Sequence, residues 1–99
     1  MRDMMTLEEL RKWVKNKQIR IWRRALFLLY SDGSLSLSEI SYDLNADRSG
    51  VERQLKKMAI DHWVRRKNHK WEITDTGITK VKNDQKYGSM PTRKWGVYY

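Results

Sequence analysis

The sequence predicts one mainly helical domain that carries a single short β-hairpin. Three observations predict it. Apolar residues recur at helical spacing through successive stretches between Leu7 and Met58. A three-residue polar turn, Asn45-Ala46-Asp47, separates two of those stretches. After them, Trp63–Lys67 and Lys70–Thr74 read as strands on either side of Asn68-His69. The chain has 99 residues, the length of a single domain. A chain this short buries a modest core, which favours support from an oligomer partner. Its five Trp and five Tyr add much apolar area per residue.

Taken in order, residues 6–17 form an N-terminal helix. Thr6 and Glu9 make a capping box, and Leu7, Leu10, Trp13 and Val14 form a narrow apolar stripe. Residues 18–33 form a second helix with two filled faces, one from Ile19, Trp22, Leu26 and Leu29 and one from Ile21, Ala25 and Leu28. That makes it the central helix, with Arg23 and Arg24 on the remaining face and Gly33 as the residue that ends it.

Residues 36–58 carry a helix-turn-helix pattern. Ser36 and Glu39 form another capping box, and Leu37, Ile40 and Leu44 share one face. Asp47 is a good N-cap for the following helix, from which Val51, Leu55 and Met58, with Ala46 before it, point back at the first. The second helix of such a motif normally enters the DNA major groove. Residues 63–74 are the hairpin. Asp75-Thr76-Gly77 opens a last helix, 75–86, with Ile78 and Val81 on its apolar side. A tail, 87–99, carries Met90, Trp95, Val97, Tyr98 and Tyr99. It is too aromatic for a typical disordered segment, so it docks on the domain or meets a partner.

This series resembles the winged-helix DNA-binding proteins of the MarR and ArsR type, over roughly Ile19 to Val81. Those proteins run a Leu-rich helix-turn-helix, a "GLV"-like pair, a basic hairpin and "Y-x-L-T-x-x-G". The corresponding places here hold His62-Trp63-Val64 and Trp71-Glu72-Ile73-Thr74-Asp75-Thr76-Gly77. The departure is Asp61-His62, where the family usually has Ala-Gly or Asn-Gly, and this puts the shape of that turn in question. The resemblance implies a winged helix-turn-helix over residues 1–99, with the hairpin as the wing. It also implies that Ser34-Leu35-Ser36 is a short extended piece that pairs with the wing strands.

Charge agrees with a polyanionic partner. The net charge is +9, and residues 48–70 hold eight Lys/Arg against two acids, a balance of +6. On a helical wheel, Ser49, Arg53, Lys56 and Lys57 oppose Val51, Leu55 and Met58. Gly50 and Glu52 flank that outer face, and Arg48 and Gln54 lie nearer the core edge. Arg53 and Gln54 are the candidates for reading bases, since Arg suits guanine and Gln suits adenine. Gln54 has the alternative of bonding within its own domain. Lys56 and Lys57 are candidates for phosphates. Gly50, costly inside a helix by about 1 kcal/mol, either allows close approach to DNA or is simply tolerated in the first turn. Ser38 is a candidate phosphate ligand at a helix N-terminus. The wing offers Arg65, Arg66, Lys67, Asn68, His69 and Lys70, for backbone or minor groove, or else as a solvated turn. Dimerisation through Leu7, Leu10, Trp13, Val14, Ile78 and Val81 is the expectation for the added helices.

Other function classes find little support. There is no Cys, no glycine-rich phosphate loop, no paired-acid motif and no nucleophile elbow. His62 and His69 lack further metal ligands at suitable spacing. We therefore expect no enzyme, no metal and no cofactor; the chain is short for a ligand-gated relative and keeps one added N-terminal helix, which disfavours a small-molecule effector without excluding it. The N-terminus lacks the apolar run of a signal peptide, and Ala25–Tyr30 is too short to span a bilayer, so an intracellular, cytoplasmic protein is expected. The leading reading is a sequence-specific double-stranded DNA-binding transcription regulator acting as a homodimer. The alternative is a winged-helix module that binds protein or RNA within a larger assembly. The basic outer face of the second motif helix favours the first, because an interaction module would more often be apolar there.

Overall fold

The computed structural model describes residues 6–92. Helix α1 (Leu7–Lys15) starts at Thr6, whose hydroxyl accepts the Glu9 N–H while the Glu9 carboxylate accepts the Thr6 N–H. Helix α2 (Ile21–Asp32) begins later than residue 18, and ends at Gly33 with φ 86°. Every residue from Ala25 to Leu29 is buried, and α2 packs against all four other helices and meets the second strand. Two filled faces thus make α2 the hub, as the double stripe implies.

Helix α3 (Leu37–Leu44) carries the Ser36–Glu39 capping box, with Glu39 held below its ordinary pKa by the bonds from Ser36. It ends at Asn45 in the left-handed conformation, φ 53°. Helix α4 (Arg48–Ile60) follows, and the Asp47 carboxylate caps it by accepting the Gly50 N–H at 3.1 Å. Strands β1 (Val64–Lys67) and β2 (Lys70–Ile73) pair antiparallel, with Val64 opposite Ile73 and Lys67 opposite Lys70. Asn68 and His69 both take positive φ, as a two-residue type I′ hairpin turn requires. Leu35 bridges to Trp71 through two backbone hydrogen bonds, so the short extended piece does join the wing sheet.

The Asp61-His62 turn keeps a left-handed residue, His62 with φ 64°, where glycine would be at ease. The next elements are then locked together. The Thr74 N–H donates to Trp63 O, the Thr74 hydroxyl donates to His62 O, and the Gly77 N–H donates to Thr74 Oγ1. Helix α5 (Asp75–Lys86) thereby leaves the sheet at a fixed angle.

Two expectations are corrected and one open alternative is decided. Arg24 does not lie on an open face: it is 2% exposed. Its Nε donates to Ile19 O at 2.9 Å, and its Nη1 donates to Val14 O and Leu44 O, each at 3.1 Å. Burial lowers its pKa from the ordinary value. Second, Leu10 and Val14 do not stand outside the core as a dimer stripe. They and Val81 are buried in this chain's own core, because α1 folds onto α2 and α3. Leu7, Trp13 and Ile78 are half-buried. Of the two alternatives for the tail, docking or meeting a partner, its start takes the first and docks on the domain. Met90 is buried, its N–H donates to Asp84 O, and the Gln85 side chain donates to Pro91 O. Trp95, Val97, Tyr98 and Tyr99 lie outside the described residues. Among the described residues, no helix is long and apolar enough to cross a membrane, and no cluster of three His, Asp or Glu could hold a metal.

Candidate nucleic-acid interface

The two faces of α4 separate cleanly. Val51, Leu55 and Met58 are buried, and Arg48, Ser49, Arg53, Lys56 and Lys57 are exposed. Core packing against α2 and α3 sets this orientation, so the basic side is turned outward by the apolar side being held. Lys56 meets Glu52 at 3.6 Å, an exposed pair one turn apart that offsets part of its charge.

Gly50 sits differently from the wheel, whereas Gln54 keeps the core-edge place the wheel gave it. Gly50 is half-buried rather than on the outer rim, and a Cβ there would meet Ile21 Cδ1 at 3.6 Å, an ordinary contact. The fold itself therefore does not demand glycine at this position. Gln54 is also half-buried and lines an open cleft of about 470 Å³, with Lys17, Arg20 and Trp22 among the other walls. It stands at the boundary between the domain and the outer face.

All six wing positions, Arg65 to Lys70, are exposed. Their charges are not equally free. The Arg65 Nε donates to the Glu72 carboxylate, which also accepts from Ser34 at 3.3 Å and is held below its ordinary pKa, chiefly by Arg65. Arg66 lies over the Trp71 ring at 5.9 Å. Lys67 and Lys70 face each other across the ladder at the hairpin tip, a like-charge pair that only a solvated or anion-facing site favours.

Ser38 is exposed on α3, one residue inside the capping box. Sequence reasoning missed its neighbours Ser41 and Tyr42. It also missed the cluster of Trp22, Trp63 and Lys80, in which Lys80 Nζ lies 5.5 and 5.3 Å from the two indole rings. No local pattern marks that cluster, because it joins α2, the residue before β1 and α5.

No protein-family model matches this sequence, and no curated protein matches it. Solved structures do. The reduced form of MarR from E. coli aligns with a TM-score of 0.58 at 20% identity, covering 85% of this chain and 73% of that one. The oxidized form of the same protein aligns with a TM-score of 0.56 at 19% identity, covering 85% and 74%. The fold is a MarR-like winged helix. In this MarR-like fold α3 and α4 are the helix-turn-helix and β1–β2 is the wing. At such identity the likeness is one of architecture. The residues of the candidate interface stand on this chain's own geometry.

Proposed function

We propose that this chain is a winged-helix transcription regulator that binds double-stranded DNA. It sets α4 in the major groove and lays the wing on the adjacent backbone or minor groove. The observation that carries this reading is the exposed basic face of α4 opposite a fully buried apolar face. The MarR-like fold and the +6 balance of residues 48–70 support it. A surface of this kind neutralises phosphates and releases counterions, so affinity depends on salt. Binding to random duplex DNA, followed by mobility shift or fluorescence anisotropy, is expected at low salt. Log affinity then falls linearly with log salt. Absent binding at low salt, or binding indifferent to salt, removes the DNA reading.

Base reading and backbone grip are separable. Arg53 is exposed and opposite the core, so Arg53→Ala leaves the fold intact. If Arg53 pairs with a guanine, the change costs roughly 1–3 kcal/mol on the preferred duplex and less on a scrambled one. Lys67→Ala at the wing tip weakens both duplexes by a similar factor and lowers the salt slope by about one unit. Equal losses on both duplexes for Arg53→Ala would move Arg53 to a phosphate.

The regulator reading includes a homodimer, since two-fold symmetry lets two recognition helices meet half-sites about one DNA turn apart. Leu7, Trp13 and Ile78, half-buried in the single chain, remain for such an interface. Sedimentation equilibrium is expected to give twice the chain mass at micromolar concentration, and a monomer there rejects the dimer.

A further inference from the structure

Helix α2 begins without a cap. The other four helices each start at a side chain that accepts a first-turn N–H: Thr6, Ser36, Asp47 and Thr74. At α2 the N-cap is Arg20, its side chain takes no cap bond, and no acid stands in the first turn. The N–H groups of Ile21, Trp22 and Arg23 have no acceptor among the described residues. The charges there also have the wrong sign for the place. A helix N-terminus carries about half a positive charge and favours anions. Yet Lys17, Arg20, Arg23 and Arg24 gather around it, with no acid between Asn16 and Tyr30. Arg23 turns to Asp84, 4.0 Å away, which meets part of its charge. Lys17 and Arg20 are exposed and have no ion pair among the described residues.

A second group aims at the same place. Side chains of a helix lean toward its N-terminus. The Arg24 guanidinium accordingly reaches back past the first turn to Ile19 O and Val14 O. A guanidinium has five N–H donors. Nε and Nη1 serve three carbonyls, and Nη2 takes no hydrogen bond among the described residues. Nη2 is not sealed off. It is not one of the fully buried polar atoms that lack a partner, and Arg24, 2% exposed, lines the cleft of about 470 Å³ beside the start of α2. Lys17, Arg20, Ile21 and Trp22 line the same cleft, so the buried guanidinium, the first turn and two cations border one space. The acid on its wall is Asp47, whose carboxylate is occupied by the cap bond to Gly50.

Backbone N–H groups at a helix start, with a guanidinium beside them, recognise a tetrahedral oxyanion. We propose that this cleft is a site for a free phosphate, either inorganic or the terminal group of a small monoester. Arg24 Nη2 binds it at the floor, the first-turn N–H groups of α2 bind it from one side, and Arg20 and Lys17 close over it at the rim. The phosphodiester of a duplex carries a sugar on either side and does not reach a guanidinium that is 2% exposed. A terminal phosphate, with its three outer oxygens, does. The bound anion supplies the cap that α2 lacks and offsets the charge gathered there, so occupancy stabilises the domain through its central helix. The site does not rest on the DNA reading.

The test titrates the full chain with inorganic phosphate against chloride at fixed ionic strength, without DNA. Saturable amide shifts centred on Ile21, Trp22 and Arg23 are expected, together with a melting temperature that rises with phosphate; chloride gives neither. Phenyl phosphate separates the two sources. Tighter binding, with shifts that extend to the Trp22 indole, assigns a monoester, and equal or weaker binding assigns inorganic phosphate. Arg20→Asp places a carboxylate at the N-cap. It is expected to melt above the wild type in chloride, because a capping acid replaces a cation at the positive helix end. It is also expected to bind phosphate about tenfold more weakly, or worse. Arg20→Gln removes the charge without adding an acid, and weakens phosphate binding without that gain. Lys57→Gln, on the outer face of α4, keeps the wild-type phosphate affinity. Unchanged phosphate affinity in both Arg20 variants overturns the proposal. So do shifts that never saturate, or that spread equally over α4 and the wing. A phosphate-dependent rise in melting that Arg20→Asp shows in full also overturns it, since phosphate then acts by exclusion from the whole surface.

Discussion

Arg24→Met is expected to lower stability by about 3–5 kcal/mol and the melting temperature by more than about 10 °C. Methionine keeps much of the unbranched stem, so the change isolates the guanidinium. That group serves Val14 O and Leu44 O, at the C-terminal ends of α1 and α3, and Ile19 O in the α1–α2 connection. Helix ends leave carbonyls without intrahelical partners, and a buried one without a donor costs about 1–3 kcal/mol. Three such groups, with water reaching some of them, give the range stated. A single fork of donors also suits partners on three segments better than an ammonium does, so Arg24→Lys is expected to recover only part of the loss. Urea unfolding is the measurement, with the midpoint falling and the slope unchanged. A loss below about 0.5 kcal/mol, the range of neutral surface changes, would mean that these carbonyls are hydrated and Arg24 is not the pin between α1 and the helix-turn-helix.

Gly77→Ala is expected to cost about 3 kcal/mol or more. A Cβ on Gly77 would stand 2.1 Å from Trp63 O and 2.7 Å from Ile73 Cγ1. The nearer atom is backbone and already accepts the Thr74 N–H at 3.0 Å, so it cannot move without breaking the tie between β1 and α5. Overpacking that forces side-chain and backbone shifts typically costs about 1–3 kcal/mol and occasionally more, and a contact this short with a backbone atom sets Gly77→Ala at the upper end of that range. Gly50→Ala is the control. It sits in a helix with an ordinary 3.6 Å contact to Ile21, and alanine gains up to about 1 kcal/mol of helix propensity there. The two helical glycines therefore have opposite signs in thermal melts. Equal and small effects would show that the α5 start relaxes away from Trp63. The Gly77 effect also reaches the interface, because Trp63 precedes β1 and a shifted α5 displaces the wing.

The periodic and capping features were legible in the sequence. Thr6 with Glu9, Ser36 with Glu39, and Asp47 before Arg48 each set a helix start through bonds that span three residues, so local order suffices to find them. The buried face of α4 follows from Val51, Leu55 and Met58 at helical spacing, and the basic face follows as its opposite. The hairpin was legible because Asn68-His69 separates two strand-like runs, although which loop residues take positive φ was not.

Long-range partners were decided only in three dimensions. A guanidinium reads as solvent-facing until the ends of α1 and α3 arrive beside it; Arg24 is interior because residues 14, 19 and 44 meet there. The stripe on α1 has the same spacing whether it meets a second chain or its own core, and packing against α2 and α3 assigns Leu10 and Val14 to the core. Thr74-Asp75-Thr76-Gly77 is recognisable as a motif, but the reason for its glycine is Trp63 O, a backbone atom fourteen residues earlier that exists at that place only once β2 has paired with β1. By itself, the sequence determined where helices start, which faces are apolar and where positive charge gathers, since these depend on neighbours within a turn or two. The tertiary structure decided which polar groups are buried and which apolar faces are already covered, because burial is a property of what other segments bring to a residue.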